Sequence, residues 1–366
     1  MWLHIYLTIR IDYQYKKTNS MDNRNKVILF GNGFNRLNES NGANDWKHLL
    51  KSLTTIYDYT DVTSNTLRYE AIYLSDDIKP FQKTDPSVYS SPTEKQLKEE
   101  IAMRLQCIQG TNERYQQMAN LPVTEYMTTN YDEGLEMTLL DEGYEEIGSD
   151  MSEATYSIHR YRRFKKGDDV KRVWHIHGYY KYPESIMLGY NHYCGQLSKI
   201  NEYVKGSYKF KANGMGKIPK IGARLESVLP LEDIQSWIDL FFISDVHVVG
   251  YGFDMFEIDL WWILNRRIRI LKEERSIVRN RIFFHAQEQK GDLEYGQCAD
   301  LKECLCANIK DICSKEREKE EELEKRKILE VFGVNYEAHQ TEIVNDDYNP
   351  LYEKILNDIN QKEYLQ

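Results

Sequence analysis

An α/β fold on a Rossmann-like parallel sheet of about six strands is the architecture that this 366-residue chain predicts. Two patterns lead to it. Short apolar runs recur at 27–30, 125–128, 173–176, 246–249, 282–284 and 334–338, mostly with enough chain between them for crossover helices. Polar or glycine residues follow four of these runs, at the carboxyl ends where open parallel sheets hold their ligands.

The first run, Val27-Ile28-Leu29-Phe30, passes straight into Gly31-Asn32-Gly33, and DWKHLL at 45–50 then opens an amphipathic helix. Glycine lets backbone N–H groups approach a phosphate closely, so this strand, turn and helix suit a pyrophosphate. An ordinary strand-to-helix turn would have much the same sequence. About 95 residues separate the first two runs, far more than one crossover requires. The excess is expected to be a helical insertion over about 45–120. Trp46, Leu49, Leu50 and Leu53 keep helical spacing, as do Ile101, Leu105 and Ile108, with DPSVYSSPTE at 85–94 as an interrupting loop.

The second run ends in TTNYD at 128–132. Asn130 there has two readings, a ligand contact at a strand end or the N-cap of a helix beginning in DEGLEMTLL. The third run ends in WHIHG at 174–178, and its two histidines share a face if the strand continues. His177, followed by glycine at the strand end, is the preferred functional histidine, and His175 is expected in the core or in support. From 183 to about 230 six glycines and several tyrosines suggest an irregular stretch that covers the site. The fourth run leads into Gly250-Tyr251-Gly252. Asp254, Glu257 and Asp259 then open a helix, where carboxylates complement the positive dipole end; capping is their expected role, with contact to a ribose hydroxyl as the alternative. Mixed charges at helical spacing from 314 onward describe an exposed helix within C-terminal helices over about 296–366.

A formal charge of −10 argues against a general nucleic-acid binder, and the basic stretches at 159–172 and 205–224 are expected as solvated loops. No run has the length of a membrane span and the opening residues lack a secretory pattern, so a cytoplasmic location is expected. Residues 1–20 are read as a mobile extension ahead of one catalytic domain at 21–366. Cys107 and Cys194 are isolated, and Cys298, Cys304, Cys306 and Cys313 lack paired C-x-x-C spacing, so reduced thiols are expected and no metal site.

These segments resemble the sirtuin superfamily. Residues 27–35 look like its glycine-rich NAD loop, 128–132 like its T-x-N-x-D segment, His177-Gly178 like its histidine-glycine pair and 248–253 like its late ribose loop. TTNYD, IHGYY, SIMLGYNHY and VVGYGFDMFEIDLWW are closer to the sirtuin-like domains of prokaryotic antiphage defence than to protein deacylases. The resemblance implies NAD as substrate. Gly31, Asn32 and Gly33 would cradle its pyrophosphate, Phe34 would pack near nicotinamide, Asp132 would meet the carboxamide, and Gly250, Tyr251 and Gly252 would border the adenine ribose. Cleaving the nicotinamide–ribose bond makes an oxocarbenium-like sugar and a neutral leaving group, so positioning matters more than strong acid. Asn130 would orient water and ribose, and His177 would act as general base or bind the ribose.

The implied activity is an NAD+ hydrolase giving nicotinamide and ADP-ribose, which halts infected cells by NAD depletion. ADP-ribosyl transfer, lysine deacylation or a non-catalytic NAD or ADP-ribose sensor are the alternatives. Deacylases carry a four-cysteine zinc module that has no counterpart here, so no zinc is expected. The resemblance also implies a homo-oligomer and a partner such as a HerA-type ATPase or another defence-system protein, with nucleic acid met only indirectly if at all and no membrane contact.

Overall fold

One mixed sheet joins β1 (Lys26–Phe30), β2 (Glu125–Thr128), β3 (Glu145–Asp150), β4 (Tyr161–Lys166), β5 (Asp169–His175), β6 (Asp245–Val249), β7 (Ile282–Gln287) and β8 (Asn335–His339). The computed structural model describes residues 25–37, 46–54, 64–75, 93–106, 110–150, 155–209, 218–226, 234–273, 278, 280–288, 320–341, 343 and 347–361. Strand order across the sheet is β3-β4-β5-β2-β1-β6-β7-β8. The contacts from β5 through β8 are all parallel, while β3 and β4 add an antiparallel edge beside β5. Taken in chain order, the six parallel strands lie 3-2-1-4-5-6, the doubly wound arrangement.

Among the described residues the sheet therefore has eight strands rather than about six. The two extra strands have no apolar run to announce them. β3 is EEIGSD and almost wholly exposed, and in YRRFKK of β4 only Arg162 and Phe164 turn inward. The basic stretch at 159–172, expected as a solvated loop, is instead the β4–β5 hairpin. Its cations are partly internal: Lys171 is 1% exposed and donates to the carbonyls of Leu121 and Val123, at 2.8 and 3.0 Å.

Both faces of the parallel core are covered, which explains its nearly continuous apolar strands. On one face Val27, Leu29, Met127, Trp174, Val246 and Val248 pack with α6 (Tyr190–Lys205), α8 (Trp237–Ile243) and α9 (Ile258–Glu273). On the other, Ile28, Phe30, Tyr126, Val173 and Val249 meet α4 (Glu113–Ala119), α5 (Gly134–Asp141) and α11 (Asn349–Gln361). Between α6 and α8 lies the short α7 (Ile221–Glu226). The stretch from 183 onward, expected to be irregular, thus contains the 16-residue α6, flanked by Gly189 and Gly206 as its caps. Two of the six glycines read as loop signals, Gly189 and Gly206, are helix punctuation.

Between β1 and β2 the described residues form α1 (Trp46–Ser52), α2 (Asn65–Leu74), α3 (Glu94–Gln106) and α4. Leu49, Leu50, Leu53, Tyr69, Ile72, Leu97, Ile101 and Leu105 build a third cluster with Tyr131, Tyr179, Tyr180, Ile186 and Leu188, so this segment rests on the turns that follow β2 and β5. Near the C-terminus, residues 320–331 form α10, which inserts Leu329 into the main core rather than standing free in solvent. The sequence readings for residues 1–20, most of the loop at 85–94, Cys107, Ile108, Cys298, Cys304, Cys306, Cys313 and residues 314–319, and for the Trp46 side chain, lie outside the described residues. No helix among the described residues is long and apolar enough to cross a membrane.

Candidate active site

The chain order reverses direction between β1 and β6, and a cavity of about 980 Å³ opens beyond the carboxyl ends of these strands. Asn32 and Gly33 after β1, Asn130 after β2, His177 after β5 and Gly250, Tyr251 and Gly252 after β6 all line it. Four segments spread over more than half of the sequence thus meet in one crevice.

The two glycine turns also touch each other. Gly33 N–H donates to Gly250 O at 2.8 Å, and Gly31 N–H donates to Val249 O at 3.4 Å. A Cβ on Gly33 would lie 2.7 Å from Gly250 O, a distance real Cβ atoms do not tolerate. Close approach of backbone to backbone is therefore one reason for glycine here, independent of any phosphate. Gly31 and Phe34 are not among the cavity-lining residues. Phe34 is buried beneath the turn, stacked on Tyr352 at 5.0 Å between ring centroids and packed against Phe30 and Tyr115.

Asn130 is 3% exposed and does not cap a helix. Its Nδ2 donates to Gly31 O at 3.2 Å, which ties the end of β2 to the first glycine turn and leaves Oδ1 as an acceptor for a ligand hydroxyl. The capping function considered for Asn130 falls instead to Asp132. Asp132 accepts from Gly134 N–H at 2.9 Å, at the start of α5, and from Asn35 Nδ2 at 2.6 Å, while Tyr115 O–H donates to Asn35 Oδ1 at 2.7 Å. Burial raises the Asp132 carboxyl above its ordinary value, against the hydrogen bonds from Gly134 and Asn35. Asp132 is not among the lining residues, so the carboxylate expected at the carboxamide is engaged with Asn35 and α5.

His175 and His177 do not share a face. β5 ends at His175, whose Nε2 lies 2.5 Å from Glu136 on α5, with Tyr179 packed on the ring at 4.6 Å. The chain then turns, and His177 meets α9 on the opposite side of the sheet: its Nε2 lies 3.1 Å from Asp259 Oδ2. Gly178 makes this turn at φ +116°, and Met187 N–H holds the His177 carbonyl at 2.9 Å. Tyr193 of α6 packs edge-on against the His177 ring at 5.4 Å. Burial alone would lower the His177 pKa, but the Asp259 carboxylate, with Glu257 beyond it, outweighs this and holds it above the usual 6.5.

The carboxylates at the start of α9 therefore do more than cap. Asp259 is fully buried against His177, and Asp254 does behave as a turn residue, accepting from Phe256 N–H at 2.9 Å. Glu257 lines the cavity, takes the Tyr251 hydroxyl and the Asp254 N–H, and is pushed by burial up to about 7 despite the nearby His177. Sequence reasoning missed a further wall. Glu322 and Lys325 of α10 line the cavity, Lys325 donating to Gly252 O with its ammonium 5.0 Å from the centre of the Phe284 ring. His48, Asn65 and Thr66 from the helices between β1 and β2, and Leu188 and Tyr193 from the 183–230 stretch, close the other side. The signal for Lys325 was its position in a charged helix, which carries no information about the surface it faces.

No group of three or more His, Cys, Asp or Glu placed to hold a metal ion occurs among the described residues, and Cys194 is a free, exposed thiol.

No curated protein matches the chain. The family model of the SIR2-like domain matches residues 124–214, a segment that contains Asn130, Asp132 and His177 and runs from β2 to the helix α6. The glycine turns at 31–33 and 250–252 lie outside that segment and join it only in space. The match supports a sirtuin-like domain and, in general terms, an NAD-related activity.

Proposed function

We propose that the protein is an NAD+ glycohydrolase that cleaves the nicotinamide–ribose bond to release nicotinamide and ADP-ribose. The observation that carries this is the convergence of Asn130 and His177 with the two glycine turns on one cavity at the switch point of the sheet. Its volume, about 980 Å³, stands at the upper end of the roughly 300–1,000 Å³ usual for ligand pockets, as an extended dinucleotide needs. In this scheme the pyrophosphate lies along the glycine turns, Asn130 Oδ1 holds a ribose hydroxyl or the attacking water, and His177 accepts a proton. The Glu257 carboxylate, which lines the cavity, favours the positive charge that develops on the ribose. Asp132, engaged with Asn35 and Gly134, is left out of direct substrate contact.

Depletion of NAD in antiphage defence, assembly into homo-oligomers and a HerA-type ATPase partner extend this proposal on the sequence resemblance alone. Incubating the purified protein with NAD, with and without a candidate trigger, and following nicotinamide, free ADP-ribose and label on protein tests the reaction. Free ADP-ribose, lost in folded Asn130→Ala and His177→Ala variants, is the expected result. Label on protein would replace hydrolysis with transfer, and tight binding of intact NAD under every condition would replace it with sensing.

A further inference from the structure

The reaction scheme uses Asn130 and His177 and leaves unexplained a carboxylate placed where burial is costly. Asp259 is 0% exposed, 82 positions from His177 in sequence, and its Oδ2 lies 3.1 Å from His177 Nε2. Its other oxygen, Oδ1, is buried and has no hydrogen-bond partner among the described residues. A buried carboxylate with one partner is a poor stabilising device, since an apolar pair of similar volume would hold α9 against the sheet at least as well. What the carboxylate adds is direction. A histidine whose Nε2–H is taken by a carboxylate keeps one tautomer, with the other ring nitrogen as its basic site. No hydrogen bond among the described residues occupies His177 Nδ1. Among the described residues the charged and titratable groups around the ring are Asp259 and Glu257 from the start of α9 and Tyr193 from α6, with Asp259 the carboxylate in direct contact.

We propose that Asp259 is the positioning residue of His177: by accepting Nε2–H it fixes the tautomer that turns Nδ1 toward the cavity as the nitrogen that receives the proton of the attacking water. The inference rests on the NAD hydrolase proposal for its chemical step. In that step the water oxygen bonds to the ribose C1′, the C1′–nitrogen bond breaks, and its electron pair neutralises the nicotinamide ring. One water proton passes to Nδ1, so the ring is briefly an imidazolium facing the Asp259 carboxylate, and that proton later leaves to solvent. NAD+ and water become ADP-ribose, nicotinamide and one proton.

The test uses Asp259→Asn, which keeps size and removes charge, in wild-type and His177→Ala backgrounds. Two readouts are taken: steady-state NAD cleavage against pH, and the imidazole nitrogen resonances of His177, assigned by their loss in His177→Gln. Expected in Asp259→Asn are a kcat roughly 100-fold lower with KM changed less than threefold, and an ascending acid-side limb whose midpoint is shifted to lower pH. The His177 titration should move down with it, its neutral form should no longer be held as the Nε2–H tautomer, and the substitution should cost nothing further in His177→Ala. Asp259→Glu, which restores a carboxylate at a shifted distance, should recover the tautomer in part. Unchanged His177 resonances and titration in Asp259→Asn overturn the proposal, whatever happens to kcat. A wild-type protein that never cleaves NAD sinks the hydrolase reading instead, and the resonances still decide whether Asp259 sets the tautomer.

Discussion

His175 and His177 stand two residues apart, both buried, each with Nε2 against a carboxylate, yet they belong to different parts of the protein's physics. His175 is the last residue of β5 and faces Glu136 of α5, inside a wall of packed side chains. His177 lies past the strand end, turned by Gly178 onto the other side of the sheet, and opens on the cavity beside Asn130. A pair of identical composition is packed inside the wall at the last strand residue and opens on the cavity two residues beyond it. The strand end, rather than the residue type, makes the difference.

Substitution should separate the two most sharply. His177→Ala and Asn130→Ala are expected to reduce NAD cleavage by the folded fraction about 10²–10⁴-fold, and His177→Ala should also cost stability because it leaves Asp259 buried without its partner. His175→Ala should leave Glu136 buried without its partner, destabilise by about 1–3 kcal/mol, and keep the specific activity of whatever fraction folds. Thermal melts beside turnover assays check this, and a folded His175→Ala that is as inactive as His177→Ala would erase the contrast.

The turn between the histidines and the glycine contact come next. Gly178→Ala puts a side chain at φ +116°, 2.7 Å from the Ser185 carbonyl carbon, and should misplace His177 while sparing the His175–Glu136 pair. About 1–3 kcal/mol of stability and a larger share of kcat than of KM should be lost. Gly33→Ala, facing Gly250 O at 2.7 Å, should act through the other wall and raise KM for NAD by about tenfold.

Acid–base behaviour sharpens the comparison further. His177, held above 6.5, gains from its Asp259 pair a stabilisation that is complete below the unfolded value and fades as pH rises through the folded one. Catalysis by the neutral ring should run the other way, rising over the same interval. Glu257, near 7 when folded against an ordinary 4.5, binds its proton more tightly in the folded protein, so its effect lowers stability as pH climbs between these values. Denaturant titrations at pH 4.5 and 8 should show Glu257→Gln removing up to about 3 kcal/mol of that decline. A variant with the same pH slope as wild type would remove Glu257 from this account.

The smallest effect is expected at Lys325→Met. Loss of its bond to Gly252 O should loosen the loop after β6 and raise KM about two- to fivefold, with kcat unchanged. A large drop in kcat would place α10 in the chemistry rather than at the rim.

Much of this was legible in one dimension. Val27–Phe30 before a glycine turn, TTNYD and WHIHG announce themselves because strand ends and turns are encoded locally, in apolar runs and in residues with special backbone freedom. β3 and β4 were not legible, because an edge hairpin with an exposed face needs no apolar run and its inward Arg162 looks like a surface charge. Asp132 reads in the sequence as a substrate contact and Asn130 as a ligand contact with capping as its alternative; in the structure Asp132 accepts the first N–H of α5 and Asn130 lines the cavity. Both are short polar side chains after one strand, and direction, not identity, distinguishes them.

Sequence periodicity and turn chemistry were sufficient for the parallel core and the positions of its strand ends, and the resemblance singled out Asn130 and His177 there as the candidate pair. Folding in three dimensions decided which groups stand beside that pair: Asp259 from 82 positions away, Glu257 next to it, and Lys325 from a helix that reads as solvent-facing. The reason is that secondary structure arises from neighbours in the chain, whereas the field and hydrogen bonds felt by a titrating group come from whatever the fold packs within a few ångströms of it.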